Sequence, residues 1–242
     1  MKSPKQMIVA HRGASGLVEH ENTIDAFQKA IDVGADCIEC DVRRTKDGVL
    51  IIFHDELING VPVNELTHRE ILDITGYHVP TLEETLEFVK GKILIDIELK
   101  EGGYEEEAVA LIQKHLKNDE FYIRSFLDKT VRKVKKIDKT ITTALLLGLE
   151  HPKNVLLTRL SELFPFFRIL KTKCDIVSPY YRLLKLGFVT RMRILGRRVS
   201  VWTVDDEPLM KVLLKKKKVD SLVTNYPDVA LRILNRNNDT KK

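Results

Sequence analysis

The sequence reads Ile93-Leu94-Ile95-Asp96-Ile97-Glu98-Leu99-Lys100 before its midpoint, an apolar run whose later residues alternate with charged ones. Side chains along a strand point alternately to opposite faces, so one face is apolar and the other carries Asp96, Glu98 and Lys100. Three more apolar runs end in polar residues, at 8–13, 37–42 and 49–55. A fold that gathers the ends of such strands would bring carboxylates, cations and imidazoles together.

The composition limits the class of protein. Hydrophobic residues make up 43% of the 242 residues, which supports a full core and excludes global disorder. The net charge of +5 comes from 40 basic and 35 acidic residues and suits an anionic substrate. We find neither a long basic arm nor a basic stretch interleaved with aromatics, so no nucleic-acid partner is expected. The tetralysine at 215–218 is interpreted as a helix end, where cations favour the dipole.

Cysteine use and hydropathy indicate the compartment. Three cysteines are too few and of the wrong parity for a disulfide framework, so a reducing cytoplasm is expected. Cys37 and Cys40 lack a second pair at zinc spacing. Residues 1–6 have no apolar stretch and no run is long enough to span a membrane, so neither a signal peptide nor a transmembrane segment is expected. The apolar stretch 160–170 is interpreted as a helix covering the core, with peripheral membrane contact as the alternative.

Strand-like and helix-like segments alternate along the chain. Nine strand patterns occur, at 7–10, 37–43, 49–54, 93–100, 121–125, 142–147, 176–178, 199–204 and 221–224. Helical spacing falls at 23–33, 82–89, 104–116, 129–137, 208–214 and 227–234. About eight strand–helix units in a chain of this length predict an α/β fold of the TIM (β/α)8 barrel type. The alternative, a doubly wound sheet, usually carries a GxGxxG turn that residues 11–16 lack.

The chain reads as one domain. We find no linker within 1–242, and residues 56–78, which interrupt the alternation, are interpreted as a short loop insertion on the barrel. The polar tail at 235–242 is expected to fray. Either a monomer or a homodimer is compatible with this pattern.

Acidic residues at the strand ends predict a metal site. Glu39 and Asp41 share one strand face, as do Asp96 and Glu98, and converging carboxylates are costly to ionise without a cation. Ligands that are all oxygen indicate a hard divalent ion, Mg2+ or Ca2+. The alternative is a structural salt network in which these acids pair with basic residues, namely Arg12, Arg43 and Lys100.

Two histidines follow apolar runs in the same way. A histidine side chain ordinarily titrates near neutrality, so His11 and His54 on opposite sides of a phosphorus would serve as acid and base. Arg12 offers a bidentate fork to a phosphate oxygen. Gly13 would let the backbone turn closely beneath a substrate.

The ordered motifs resemble one family. His11-Arg12-Gly13, Glu21-Asn22-Thr23, Glu39-x-Asp41, His54-Asp55 and Glu98-x-Lys100 are similar to the signature of glycerophosphodiester phosphodiesterases. The resemblance continues through 80–84, 125–126, 201–204 and 219–227, and so spans almost the whole chain. Three features depart from the usual pattern: His20 replaces a proline, Asn225 replaces an aspartate, and the stretch after Asp55 differs.

The resemblance implies roles for particular residues. It implies a (β/α)8 barrel with metal ligands Glu39, Asp41 and Glu98 and an acid–base pair, His11 and His54. It also implies substrate and phosphate contacts from five residues: Arg12, Lys100, Glu21, Asn22 and Trp202. The reaction implied is release of sn-glycerol 3-phosphate and an alcohol from a small glycerophosphodiester, through attack by the glycerol 2-hydroxyl and a cyclic phosphate that water opens.

Three functions remain open from the sequence. The first is a metabolic phosphodiesterase acting on deacylated phospholipids. The second is a lysophospholipase D, for which the stretch 160–170 would contact an acyl chain or a membrane. The third is a non-catalytic barrel that binds phosphodiesters or a partner.

Overall fold

The computed structural model describes residues 6–149, 152 and 154–236. Its strands, in chain order, are β1 (Met7–Ala10), β2 (Cys37–Arg44), β3 (Leu50–Ile52), β4 (Leu57–Ile58), β5 (Val61–Pro62), β6 (Leu94–Leu99), β7 (Phe121–Ser125), β8 (Thr142–Leu147), β9 (Ile176–Pro179), β10 (Arg198–Val201) and β11 (Ser221–Thr224). The three short strands β3, β4 and β5 lie outside the barrel. The other eight are parallel and follow one another around a closed barrel.

Closure depends on the first and last strands. β1 pairs with β11, with Met7 opposite Ser221, and also with β2, where Val9 lies opposite Cys37. Both pairings are parallel, so the polar residues that follow each strand collect at one end of the barrel. The predicted TIM (β/α)8 barrel is confirmed.

The helices surround the barrel and bury the outer faces of the strands. They are α1 (Ile24–Asp32), α2 (His68–Thr75), α3 (Leu82–Val89), α4 (Glu105–His115), α5 (Asp128–Ile137), α6 (Val155–Leu163), α7 (Phe166–Thr172), α8 (Phe188–Ile194), α9 (Glu207–Lys211) and α10 (Pro227–Ile233). A π-helical segment, Val212–Lys217, extends α9 into the lysine run.

The alternation within β2 and β6 is as the sequence predicts. The apolar residues of both strands pack outward into one core with the helices, as Ile38 and Ile97 do against Phe27 and Leu86. The charged residues of the same strands point into the barrel, and Glu39, Asp41 and Glu98 are all buried there. These three buried carboxylates place the candidate site inside the barrel.

One of the nine predicted strands is not a barrel strand. Residues 49–54 contribute β3, which runs antiparallel to β2, with Val42 opposite Ile52. The reversal occurs because the chain turns back immediately after β2: Gly48 has a φ of 84° and its N–H donates to the Thr45 carbonyl. β3 therefore brings His54 to the barrel mouth from outside the parallel sheet.

The segment 56–78 forms a small layer beside this strand. β4 and β5 form a hairpin around Asn59 and Gly60, both of which have positive φ, and α2 follows with a capping box from Thr67 and Glu70. Ile58, Val63 and Ile71 pack with Ile51 of β3 in a separate apolar cluster. The stacked rings of His20 and Tyr77, 4.1 Å apart, link the end of this layer to the loop after β1.

The stretch 160–170 differs from the single helix expected there. α6 ends at Leu163, Phe164 and Pro165 break the helical path, and α7 starts at Phe166, because a proline cannot donate the helical hydrogen bond. The stretch does cover the core through Leu163 and Ile169, yet Phe167 is 80% exposed. Most of the tail expected to fray lies outside the described residues.

Candidate active site

The turn after β1 holds two of the predicted site residues. The backbone N–H of His11 donates to the Thr224 carbonyl at the end of β11 (2.9 Å). Arg12 and Gly13 then adopt positive φ angles of 52° and 81°, which lets the Arg12 N–H donate to Glu39 Oε2 (3.0 Å). A Cβ at Gly13 would lie 2.6 Å from the Ala26 backbone, so only glycine allows α1 to approach so closely.

Three carboxylates meet inside the mouth of the barrel. Ligand oxygens of Glu39, Asp41 and Glu98 lie within 4.8 Å of one another, and all three side chains are buried. Burial, together with the charge of Asp41, raises the pKa of Glu39 well above its usual value. Burial likewise raises the pKa of Glu98. Ionising Glu39 and Glu98 inside this cluster is therefore costly.

Two cations reach the same cluster. Lys100 Nζ lies 3.0 Å from Glu98 Oε1 and 3.2 Å from Asp41 Oδ1, and Arg12 Nε lies 3.3 Å from Asp41 Oδ2. Although burial opposes it, these cations hold the pKa of Asp41 below its usual value. Arg43, which the salt-network alternative included, pairs instead with Glu101. Of the three carboxylates, Asp41 has its negative charge compensated by two cations, whereas Glu39 is destabilised as an anion by burial and by the neighbouring charge of Asp41.

Glu21 and Asn22 contact two of these groups without lining the cavity. Glu21 Oε1 accepts from Arg12 Nη1 (2.6 Å), and Asn22 Nδ2 donates to Asp41 Oδ2 (2.9 Å). Neither residue is among the side chains that line the central cavity. Their contacts fix the orientation of Arg12 and Asp41.

His11 is held in one tautomer by its neighbours. Its Nδ1 atom lies 2.7 Å from Asn225 Oδ1, and the Asn225 amide nitrogen donates to Asp205 Oδ2 (2.7 Å). Since Asn225 donates on its nitrogen side and accepts on its oxygen side, the hydrogen belongs on His11 Nδ1. The unprotonated Nε2 then faces the carboxylates, 3.9 Å from Glu39 Oε2. Burial and the adjacent Arg12 lower the pKa of His11 to about 3.

His54 approaches from the other side of the mouth. Arg43 Nε donates to the His54 carbonyl (2.9 Å), which fixes the backbone where β3 ends. The imidazole Nδ1 lies 2.8 Å from Asp55 Oδ1. His54 is more exposed than His11, with about a third of its side chain accessible (34% against 15%).

A cavity of about 740 Å³ opens above these groups. His11, Arg12, Glu39, His54, Glu98, Lys100 and Trp202 all line it. Trp202 packs against Tyr180 and Phe126, with both ring centroids 5.5 Å away, and its indole N–H donates to the Ser178 carbonyl (2.8 Å). The lining of the cavity therefore combines charged side chains with an aromatic cluster.

The sequence interpretation missed three groups. Arg124, which lines the cavity, forms a buried bidentate ion pair with Asp96, so Asp96 stands apart from the carboxylate cluster. Asn225 and Asp205 orient His11 from the ends of β11 and β10. Arg124 could have been noticed in the sequence as an arginine within a largely apolar strand, on the same face as Tyr122. No feature of the sequence pattern singles out Asp205.

The carboxylate cluster fits a divalent cation. Three oxygen ligands in close reach suit a hard ion, and such an ion would remove the cost that raises the pKa of Glu39. The described residues contain a second such group, Glu83, Glu87 and His115, but it lies at the surface, where Lys114 bonds Glu83 (2.7 Å).

Comparisons with known proteins find similar sequences and similar folds. The model of the glycerophosphoryl diester phosphodiesterase family matches residues 11–229. A glycerophosphodiester phosphodiesterase of Caldanaerobacter subterraneus subsp. tengcongensis is 30% identical, over 96% of this chain and 99% of that one. A crystal structure of a glycerophosphodiester phosphodiesterase from Parabacteroides distasonis superposes with a TM-score of 0.80 at 24% identity, covering 96% of this chain and 98% of that chain. A phosphodiesterase from Oleispira antarctica, in complex with the product sn-glycerol-3-phosphate, has a TM-score of 0.79 at 22% identity, covering 95% and 96%.

Proposed function

The chain belongs to the glycerophosphoryl diester phosphodiesterase family, and we propose that it hydrolyses glycerophosphodiesters to sn-glycerol 3-phosphate and an alcohol. The observation that carries the proposal is one cavity lined by two histidines, three cationic side chains and two of the clustered carboxylates. The product named for the Oleispira relative is consistent with this reaction.

The cationic side chains would bind the phosphate. Arg12 and Lys100 both line the cavity, and each is already oriented by a carboxylate, so their charges are fixed before substrate arrives. Preorganised charge of this kind stabilises the extra negative charge of a phosphoryl transition state. Glu21 and Asn22 support this contact indirectly, as positioning residues for Arg12 and Asp41.

Glu39, Asp41 and Glu98 would hold a single divalent cation, Mg2+ or Ca2+. When bound, such an ion supplies positive charge that neutralises phosphate oxygens and makes a nearby hydroxyl more acidic. The raised pKa of Glu39 supports this assignment, because crowded carboxylates are stable as anions only beside a compensating charge.

The two histidines would transfer protons. His11 presents an unprotonated Nε2 toward the carboxylates, since Nδ1 donates to Asn225, and it is therefore suited to accept the proton of the attacking hydroxyl. His54, from the other side of the mouth, would protonate the oxygen of the departing alcohol as its bond to phosphorus breaks. When water opens a cyclic phosphate in the second step, the two roles reverse.

The aromatic wall would contact the organic part of the substrate. Trp202, with Tyr180 and Phe126 packed against it, presents an apolar surface to the same cavity that the cations line. Glycerol or the head group would rest on this surface.

A lysophospholipase D activity is the second candidate. The observation that favours it is the run of exposed apolar side chains on α6, among them Leu156 (70% exposed), because Arg159 and Glu162 of the same helix bond the backbone of Leu149 at the cavity. The chemistry at phosphorus would be identical, but the substrate would carry an acyl chain.

Product release separates these functions. Glycerol 3-phosphate would be measured from glycerophosphocholine, and choline from lysophosphatidylcholine, in EDTA and with Mg2+ or Ca2+ restored. We expect ion-dependent release from glycerophosphocholine that is lost in His11→Gln. Release only from the lysolipid would favour the second candidate. No release from a folded protein with either ion would overturn both and leave a binding role.

A further inference from the structure

The helices α6 and α7 expose an unusually large number of apolar side chains to solvent. On these two helices seven apolar side chains are at least 45% exposed: Val155, Leu156, Leu157 and Leu160 on α6, and Phe166, Phe167 and Leu170 on α7. We call these seven side chains the apolar surface. Single exposed leucines are common on soluble proteins, but a group of this size marks a surface that binds another protein or a membrane.

Hydrogen bonds connect α6 and α7, which carry the apolar surface, to residues that line the catalytic cavity. Glu162 Oε1 accepts from the N–H groups of Gly148 and Leu149 (both 2.8 Å), and Arg159 Nη2 donates to the Leu149 carbonyl (2.9 Å). Leu149 itself lines the cavity. The start of α7 is held in the same way, because Arg168 bonds Asp128 (2.7 Å) and the carbonyl of Phe126, another cavity residue.

The sequence segment that contains the apolar surface is rich in positive charge. Residues 154–198 contain ten arginines and lysines but only two carboxylates, Glu162 and Asp175. Both carboxylates are already paired, with Arg159 and Lys135 respectively (2.6 Å each). The unbalanced charge of this segment is therefore strongly positive.

A basic groove adjoins the apolar surface directly. Between α5 and α7 a groove of about 720 Å³ is bordered by Leu170 and by six cationic side chains: Arg132, Lys135, Lys136, Lys139, Lys171 and Lys173. On the other flank the Arg191 guanidinium lies 4.5 Å from the centroid of the Phe164 ring, which is half exposed. Apolar side chains next to basic ones are the pattern of proteins that lie on anionic membranes.

We propose that the apolar surface docks on an anionic lipid bilayer, with its leucine and phenylalanine side chains in the acyl boundary and the α5–α7 groove on the head groups. A second copy of the chain fits less well, because a two-fold interface would place the same basic segments against each other. The proposal does not depend on which phosphodiester is cleaved.

Vesicle binding tests this proposal with the full chain. Sedimentation would compare vesicles of equal parts phosphatidylglycerol and phosphatidylcholine with vesicles of phosphatidylcholine alone. We expect binding to the mixed vesicles that weakens as salt rises and is at least about tenfold weaker without phosphatidylglycerol. Leu156→Ser/Phe167→Ser and, separately, Lys171→Glu/Lys173→Glu should each reduce it by about tenfold or more.

The control is Leu57→Ser/Ile74→Ser, which alters two exposed apolar side chains outside the apolar surface and should bind like the wild type. Hydrolysis of soluble glycerophosphocholine should be unchanged in all of these variants, which separates docking from the catalytic proposal. The proposal is wrong if mixed vesicles do not bind, if the variants bind as well as the wild type, or if Leu156→Ser/Phe167→Ser instead dissociates a dimer.

Discussion

His11 donates its Nδ1 hydrogen to Asn225, and 2.7 Å separates the two atoms. The two residues follow β1 and β11, the strands that close the barrel. Asn225 can accept this hydrogen only because its own amide nitrogen is directed to Asp205. A chain of three side chains thus decides which imidazole nitrogen faces the carboxylates.

Exchanging the two partners should change the pH dependence of the reaction. In Asn225→Asp/Asp205→Asn a carboxylate replaces the amide beside His11 and should raise the imidazole pKa from about 3, because a negative charge favours the protonated form. Since the base must be unprotonated, the acid limb of kcat/KM should move to higher pH by at least about one unit. Asp205→Asn alone is the control, and a profile that coincides with the wild type would contradict this prediction.

Removing either cavity histidine should abolish most of the activity without unfolding the protein. His11→Gln and His54→Gln are each expected to lower kcat by about 10²- to 10⁴-fold, the usual contribution of a positioned acid or base. His115→Gln, on α4 beside Glu83, is the matched control and should keep full activity. Circular dichroism should be unchanged in all three. Near-normal turnover by either cavity variant would remove that histidine from the mechanism.

Glu39→Gln should stabilise the metal-free protein while weakening its response to the ion. Folding raises the pKa of Glu39 above 4.5, so the ionised form costs stability, and the cost grows as pH rises through the folded-state pKa. In EDTA the variant should therefore gain in Tm over the wild type as pH increases from about 4 to 8, with little difference at the acid end. Added Mg2+ or Ca2+ should raise the wild-type Tm but not that of the variant.

A wild-type protein that is the more stable of the two in EDTA at pH 8 would contradict the ionisation cost assigned to this cluster. An equal rise in Tm for both proteins on adding the ion would place the ion elsewhere.

The ion pair of Arg124 and Asp96 should be strongly coupled in stability. Both side chains are almost fully buried, so Arg124→Leu leaves an unpaired carboxylate and should cost about 3–5 kcal/mol in urea unfolding. Arg124→Leu/Asp96→Leu removes both charges and should cost less than Arg124→Leu alone. Losses that simply add would show that the pair contributes no coupling energy.

The barrel and the carboxylate cluster were predictable because both depend on local periodicity. Alternation in β2 and β6 predicts which side chains face inward, and the order of strands and helices limits the topology. The direction of β3 was not predictable in this way, since it depends on the turn at Gly48 rather than on the apolar run. Asp205 was missed because its role exists only once β10 and β11 are adjacent.

The apolar stretch at 160–170 illustrates the same limit. Hydrophobicity alone does not distinguish a buried face from an exposed one, and α7 contains both: Ile169 is 4% exposed and Phe167 is 80% exposed. Only the break at Pro165 and the anchoring of Arg168 on Asp128 decide which side of the helix faces solvent.

Pairing of β1 with β11 also has a consequence for the nascent chain. A ribosome has to synthesise the chain through β11 before Ser221 can meet Met7, and until then one edge of β1 has no partner strand. His11 likewise waits for Asn225. Catalytic competence should therefore appear only after Asn225 has been made, and a product terminated before β11 would expose an open strand edge to chaperones and proteases and would not be a partly active enzyme.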